Sequence, residues 1–222
     1  MVTTVYLIRH CEALGNAMGT IQGSTDCDIS PKGALQLEKL AERCRSIPFD
    51  AVYSSPLIRA VKTAKAAVGD RPIPILIEDD LRELHFGLMD GKRYDELGTL
   101  FPREYELFQK DFGHFCAPQG ESVAEVYERM SKTFERIVRE NRGKVVGIFS
   151  HGAALRALLA YLRGFPYERA GEACRMGNTA ISCVQVDENG RKTVLFENDY
   201  EHIQHDERTA VYRMWWGGEN TV

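Results

Sequence analysis

Three polar clusters in this chain each follow a short apolar run. Arg9-His10 follows Val5-Tyr6-Leu7-Ile8. Ser54-Ser55-Pro56, with Arg59 close behind, follows Ala51-Val52-Tyr53. Ser150-His151-Gly152 follows Val145-Val146-Gly147-Ile148-Phe149. Arginine keeps its charge at any working pH and presents a planar fork of donors that matches the oxygens of a phosphate. Imidazole changes charge near neutrality. Brought together, Arg9, Arg59, His10, His151 and a helix N-terminus opening at Gly152 form a cationic pocket, and a phosphate suits it. Phosphoryl chemistry also needs a proton donor for the leaving oxygen. Glu83, in Leu81-Arg82-Glu83-Leu84, is the candidate, because a carboxyl against an apolar wall can act as a general acid.

Each of these residues has a plainer reading. Arg9 and His10 can satisfy carbonyls at a strand end, and His151 can cap its helix. Arg59 can lie on a solvated face, and Glu83 can pair with Arg82 or stand on the surface. Joint placement separates the readings. In open α/β sheets ligands bind beyond the carboxyl ends of the strands, and unrelated structural accidents do not gather at one edge.

The three apolar runs are too short for helices and apolar on both faces, as in buried parallel strands. Helices are expected over 33–45, with Ser30 as N-cap and Pro31 at the first helical position, and over 57–68. Two more are expected over about 121–140, with Ser122 and Glu125 as a capping box, and over 153–162. Strands alternating with helices predict an α/β fold, a three-layer α/β/α sandwich around a mostly parallel sheet. Residues 180–186 and 192–197 flank Asp187-Glu188-Asn189-Gly190, a hairpin signal, so the sheet is expected to be mixed. The segment from about 88 to 120 is aromatic, charged and irregular. It reads as a cap-like insertion with short helices, either a connecting subdomain or a lid that shapes substrate choice. Residues 1–222 are read as one domain with a tail from about 204.

The clusters resemble motifs of the histidine phosphatase superfamily, the phosphoglycerate mutase-like enzymes. Arg9-His10-Cys11-Glu12 resembles its Arg-His-Gly-Glu signature, and Asn16 with Gln22-Gly23 resembles the loop that follows. Ser54-Ser55-Pro56-Leu57-Ile58-Arg59-Ala60, with Thr63-Ala64, is similar to its second motif. Leu81-Arg82-Glu83-Leu84-His85-Phe86-Gly87, with Asp90-Gly91, is similar to its acid/base motif. Ser150-His151-Gly152, with Leu155-Arg156, is similar to its last catalytic motif. Asn198-Asp199 and His202-Ile203 resemble a tail element of the phosphatase members. The order is the family's from Val5 to about Ile203.

That resemblance implies a phosphoglycerate mutase-like fold and a phosphomonoesterase that hydrolyses a small phosphorylated metabolite through a phosphohistidine. His10 would be the nucleophile, and Arg9, Arg59 and His151 would hold the phosphoryl oxygens. Asn16, Gln22, Gly23 and the N–H groups at Gly152 would add contacts. Glu83 would act first as acid and then as base. No metal and no cofactor are expected. The competing readings are mutase-type phosphoryl transfer, a non-catalytic phospholigand-binding module, and a metal-dependent hydrolase using His10, His85 and His151. Glu83-Leu84-His85-Phe86-Gly87, then Gly91-Lys92, resembles the phosphatase branch rather than the glycolytic mutases, and binding alone needs neither His10 nor Glu83. Three positions depart from the family pattern: Cys11 replaces a glycine, Thr20 an arginine, and Ala13 a hydroxyl residue.

The chain has 222 residues, with 28 Lys and Arg against 32 Asp and Glu, a net charge of −4 and a pI near 5.9. That balance argues against a nucleic-acid partner. No apolar run is long enough for a membrane span, and no basic residue precedes the first apolar stretch, so no secretory signal is read. Cys11, Cys27, Cys44, Cys116, Cys174 and Cys183 are scattered without a Cys-x-x-Cys pair. They read as free thiols of a cytoplasmic protein. The expected partner is a small phosphorylated substrate, with neither nucleic acid nor membrane, and the oligomeric state is left open. His202, His205 and Asp206 read as part of a solvated acidic tail rather than a metal site. Trp215-Trp216 reads as packing on the body or on a partner.

Overall fold

The computed structural model describes residues 1–206, 208 and 209. Its strands are β1 (Thr3–Arg9), β2 (Ala51–Ser54), β3 (Ile75–Ile77), β4 (Val145–Ser150), β5 (Ile181–Val186) and β6 (Lys192–Asp199). They form one sheet in the order β3-β2-β4-β1-β5-β6. Neighbours from β3 to β1 run parallel, while β5 is antiparallel to both β1 and β6. The sheet is therefore mixed and mostly parallel, as expected. Gly190 at φ +81° closes the β5–β6 hairpin where the sequence signalled a turn.

The helices are α1 (Leu14–Met18), α2 (Pro31–Cys44), α3 (Ile58–Val68), α4 (Tyr94–Leu100), α5 (Pro102–Lys110), α6 (Val123–Glu140), α7 (Gly152–Leu162) and α8 (Glu201–Gln204). Ser30 caps α2 by accepting from Gly33 N–H at 2.9 Å. Ser122 and Glu125 form the reciprocal box at the start of α6.

Strand side chains alternate between the two faces. Val5, Leu7, Val146 and Ile148 join the core built with α6 and α7. Ile8, Val52 and Phe149 join the core built with α2 and α3. Burial on both faces explains why these strands read as unbroken apolar runs. Gly147 is glycine for room: a Cβ there would lie 3.0 Å from the Phe49 ring.

The insertion carries α4, α5 and two 3₁₀ turns, Gly87–Met89 and Phe112–His114. Phe108 stacks edge-on against Phe86, Phe112 and Phe115, with centroids 5.0–5.8 Å apart. All four rings are buried in the same core as α6 and α7. Such packing leaves this segment sharing its apolar contacts with the sheet.

Strand register places the polar clusters side by side. Arg9 pairs with Ser150 and Ser54 with Phe149, so β1, β2 and β4 end at the same level. His10 N–H donates to Ser150 O, and Ser55 N–H to Phe149 O, each at 3.0 Å. The parallel ladder thus continues one residue past each strand. No helix among the described residues is long and apolar enough to cross a membrane. Trp215-Trp216 lies outside the described residues.

Candidate active site

His10 follows β1 and is buried. Its Nδ1 lies 2.6 Å from the carbonyl oxygen of Cys11. A carbonyl can only accept, so Nδ1 carries the hydrogen and Nε2 keeps its lone pair. Burial first, then the charges of Arg59 and Arg9, hold the His10 pKa well below the usual 6.5. The ring is therefore a neutral imidazole at neutral pH, with Nε2 as its basic atom.

The loop around this ring is pinned at every peptide. Asn178 Nδ2 and Thr179 N–H donate to His10 O at 3.0 and 3.3 Å. Cys11 N–H donates to Thr63 Oγ1 at 3.0 Å, and Glu12 N–H to Gln36 Oε1 at 2.8 Å. The Cys11 thiol is buried, and burial pushes its pKa up to about 11. It is a packed, protonated side chain rather than a reactive one.

Two arginines act electrostatically on His10. Arg59, near the start of α3, is fully buried. Its fork donates to the carbonyls of Thr25, Gln22 and Gly23 at 2.9, 3.4 and 3.2 Å. Arg9 donates to Met176 O at 2.6 Å and packs on Gly152, where a Cβ would lie 3.4 Å from its Cζ. Burial lowers both arginine pKa values, and the charge of Glu83 works against that shift in each. Glu83 is thus within electrostatic reach of both guanidiniums. The Tyr94 phenol, which the sequence reading did not place in the site, is coupled to Arg9 and Glu83 as well.

His151 sits at the N-cap of α7, fully buried, with its ring centroid 5.1 Å from that of His10. Arg59 Nε–H donates to its Nδ1 at 3.3 Å. Its Nε2, 2.7 Å from Ser55 Oγ, therefore carries the hydrogen and donates. Burial, Arg59 and His10 hold its pKa well below 6.5. Both ring nitrogens are engaged within the protein, so His151 props Arg59 in this structure.

Glu83 is not paired with Arg82, which binds Asp79 instead. Its carboxylate sits at the N-terminus of α7. Oε1 accepts from Ala154 and Leu84 N–H, each at 2.9 Å, and Oε2 accepts from Ala153 N–H at 3.2 Å. Negative charge is favoured at a helix N-terminus. The helix N–H groups next to Gly152 thus serve the carboxylate. Ser150 Oγ–H donates to Leu81 O at 2.8 Å and ties the Glu83 segment to the end of β4.

Asn16 Oδ1 accepts from Ala13 N–H at 3.0 Å and caps α1. Gln22 lies so close to Gly15 that a Cβ there would be 2.3 Å from its Cδ. Both amide atoms of Gln22, together with Arg9 Nε, are buried with no hydrogen-bond partner among the described residues. Buried polar atoms without a partner are rare in proteins. Gly23 lies against the backbone of Leu84 and Phe86, where a Cβ would be 2.6 Å from Leu84 O.

Two features escaped the sequence reading. Asn178 and Thr179, which hold the His10 carbonyl, lie in an irregular stretch with no periodic signal. Thr179 adopts φ +56°, a costly conformation for a β-branched residue. His202 Nε2 contacts Thr179 Oγ1 at 3.1 Å. His205 contacts Gln204, and Asp206 pairs with Arg208. Among the described residues no group of three or more His, Cys, Asp or Glu side chains is placed to hold a metal ion.

Keeping His10 and His151 neutral makes stability depend on pH. The unfolded chain takes up protons near the ordinary value of 6.5, which the folded rings refuse. Their contribution is present above that value and is lost as pH falls toward the depressed folded values. His202, lowered to about 4 chiefly by burial, adds to the same trend. The melting temperature should fall between about pH 7.5 and 5, with net proton uptake on unfolding in calorimetry. A flat profile across that window would contradict the neutral assignment.

Known proteins resemble this chain over most of its length. Phosphoglycerate mutase-like protein 4 of Arabidopsis thaliana is 30% identical over 220 residues, covering 98% of this chain and 93% of that protein. The solved structure of Bacillus stearothermophilus YhfR superposes with a TM-score of 0.85 at 31% identity, covering 90% of this chain and 98% of that one. A phosphoserine phosphatase variant from Entamoeba histolytica, solved in complex with phosphoserine, superposes at 0.79 with 27% identity, covering 90% and 99%. The family model of the histidine phosphatase superfamily, branch 1, matches residues 5–199, and this chain belongs to that superfamily.

Proposed function

We propose that this chain is a phosphomonoesterase that hydrolyses a small phosphorylated metabolite through a phosphohistidine at His10, without a metal. One observation carries the reading: a neutral imidazole, with its Nδ1 hydrogen held by Cys11 O, lies in the field of two buried guanidiniums, Arg59 and Arg9. Such a ring is a competent nucleophile toward phosphorus, and the arginines supply the charge that the transition state needs.

In the first step the Nε2 lone pair of His10 forms a bond to phosphorus and the ester P–O bond breaks. A proton on Glu83 passes to the leaving oxygen, giving the free alcohol. Oε2 of Glu83 accepts only one N–H, so its second lone pair can carry that proton. In the second step water attacks phosphorus, its proton goes to Glu83, and the N–P bond breaks to restore neutral His10. Arg9 Nε and the Gln22 amide are the buried donors that the phosphoryl oxygens would satisfy. Arg59 neutralises charge while His151 steadies it. Asn16 and the Gly152 N–H complete the rim, and Gly23 leaves Arg59 its backbone acceptor.

The test uses purified protein with a chelator present. It should release phosphate from p-nitrophenyl phosphate, and acid-sensitive, base-stable phosphoryl label should be found on His10 after a base quench. Turnover with no label at any histidine would point to direct water attack. The mutase-like relative supports a second reading, phosphoryl transfer between two oxygens of a phosphoglycerate. Interconversion much faster than phosphate release would favour it.

A further inference from the structure

The loop at residues 22–25 lies between a cation and an anion. On one side its carbonyls at Gln22, Gly23 and Thr25 accept from Arg59. On the other, three consecutive N–H groups, of Gly23, Ser24 and Thr25, donate to the Asp90 carboxylate, each at 2.9 Å. Gly23 uses Asp90 Oδ1, while Ser24 and Thr25 share Oδ2. Peptides of this loop therefore turn their positive N–H ends to Asp90 and their negative C=O ends to Arg59, and each charge stabilises the alignment that the other needs. The Asp90 charge also acts directly on Arg59.

We propose that Asp90 is the positioning residue for the phosphoryl-binding side of the site: it fixes the 22–25 loop and, through the carbonyls of that loop, Arg59. The inference rests on the phosphatase reading only in taking the bound anion to be phosphoryl. Three further contacts make the clamp a unit. Ile21 N–H donates to Lys92 O, and Gly91 N–H to Ile21 O, both at 2.9 Å. Gly23 abuts Leu84 and Phe86, one to three residues beyond Glu83. Asp90 thus stands on the same segment as the proposed acid and grips the loop that holds the proposed anion-binding arginine. A backbone donor paired to a carboxylate is a charge-assisted bond, stronger than a neutral one. Replacing the carboxylate by an amide removes the charge and turns an NH₂ toward one or two of the three N–H donors.

The experiment measures binding of inorganic phosphate by calorimetry, which needs no turnover. Asp90→Asn should weaken phosphate about tenfold, by loss of charge-assisted bonds that hold Arg59. Arg59→Ala should weaken it by about a hundredfold or more, as removal of a buried charged partner does. The double variant should bind no worse than Arg59→Ala, because Asp90 acts through Arg59. Losses that multiply, or an Asp90→Asn variant that binds as wild type, would overturn the proposal. If Asp90→Asn does not fold, Asp90→Glu replaces it. That variant keeps the charge but misplaces it by a methylene, so a loss of about threefold is expected alone and none in the Arg59→Ala background. No loss alone, or a further loss in that background, refutes the clamp. Wild type that binds phosphate but hydrolyses no ester would remove the catalytic reading and leave the clamp standing. Wild type that binds no phosphate would remove both.

Discussion

Hydrolysis of p-nitrophenyl phosphate should fall by about 10⁴-fold or more in His10→Ala, the scale seen when a nucleophile is deleted from a catalytic unit. The loss should appear in kcat rather than KM, because the proposed phosphoryl-binding residues Arg9, Arg59 and Gln22 remain. Phosphohistidine labelling should vanish in the same variant. The structure gives the reason for so large an effect. Among the described residues of the site no other side chain offers an unprotonated nitrogen with a free lone pair: His151 accepts from Arg59 through Nδ1 and donates to Ser55 through Nε2. The Cys11 thiol is buried and protonated. The Cys11 carbonyl loses the ring N–H that it accepts from, but the His10 carbonyl and amide and the Cys11 and Glu12 amides keep their partners, so the variant should fold with a modest loss of stability. Melting temperature together with steady-state kinetics checks both parts. Retention of wild-type turnover by a folded His10→Ala would remove the nucleophile assignment.

Glu83→Gln should give the second large effect, with a size that depends on the ester. General acid catalysis contributes about 10²–10⁴-fold when the leaving group is poor. An alkyl phosphate should therefore lose rate by roughly that factor. p-Nitrophenolate leaves readily without a proton, so its ester should lose far less in the first step. The sensitivity of rate to leaving-group pKa should steepen in the variant. Glutamine preserves the shape and one acceptor for the α7 N-terminus, but Oε2 or Oε1 becomes an NH₂ facing helix N–H groups. A stability loss of about 0.3–1 kcal/mol from the lost charge at a helix N-terminus is expected beside the kinetic change. Equal rate loss for every ester would exclude an acid role and leave Glu83 as a helix anchor.

Much of this site was legible before any coordinates. Arg9-His10, Arg59 and Ser150-His151 each follow an apolar run, and burial of both sheet faces imposes such runs on parallel strands. Ser30-Pro31 and the Ser122–Glu125 pair announced their helices because capping is chemistry local to a few residues. β3 was missed, since three partly exposed residues after Pro72 and Pro74 carry no strand pattern. The five-residue α1 was missed because one turn has no amphipathic period to detect.

Other features required the chain to close on itself. Asn178 is 168 residues from the carbonyl it holds, and Asp90 is 65 to 67 residues from the amides it grips. The sequence alone determined which side chains meet at the carboxyl edge of the sheet, because strand pattern and polar punctuation are written in neighbouring residues. Only the tertiary structure decided the hydrogen on His10 Nδ1, the service of His151 to Arg59, and the seat of Glu83 on α7. Each of those depends on which distant donor or acceptor arrives within about 3 Å, and hydrogen bonds fade too steeply with distance and angle for sequence spacing to specify them.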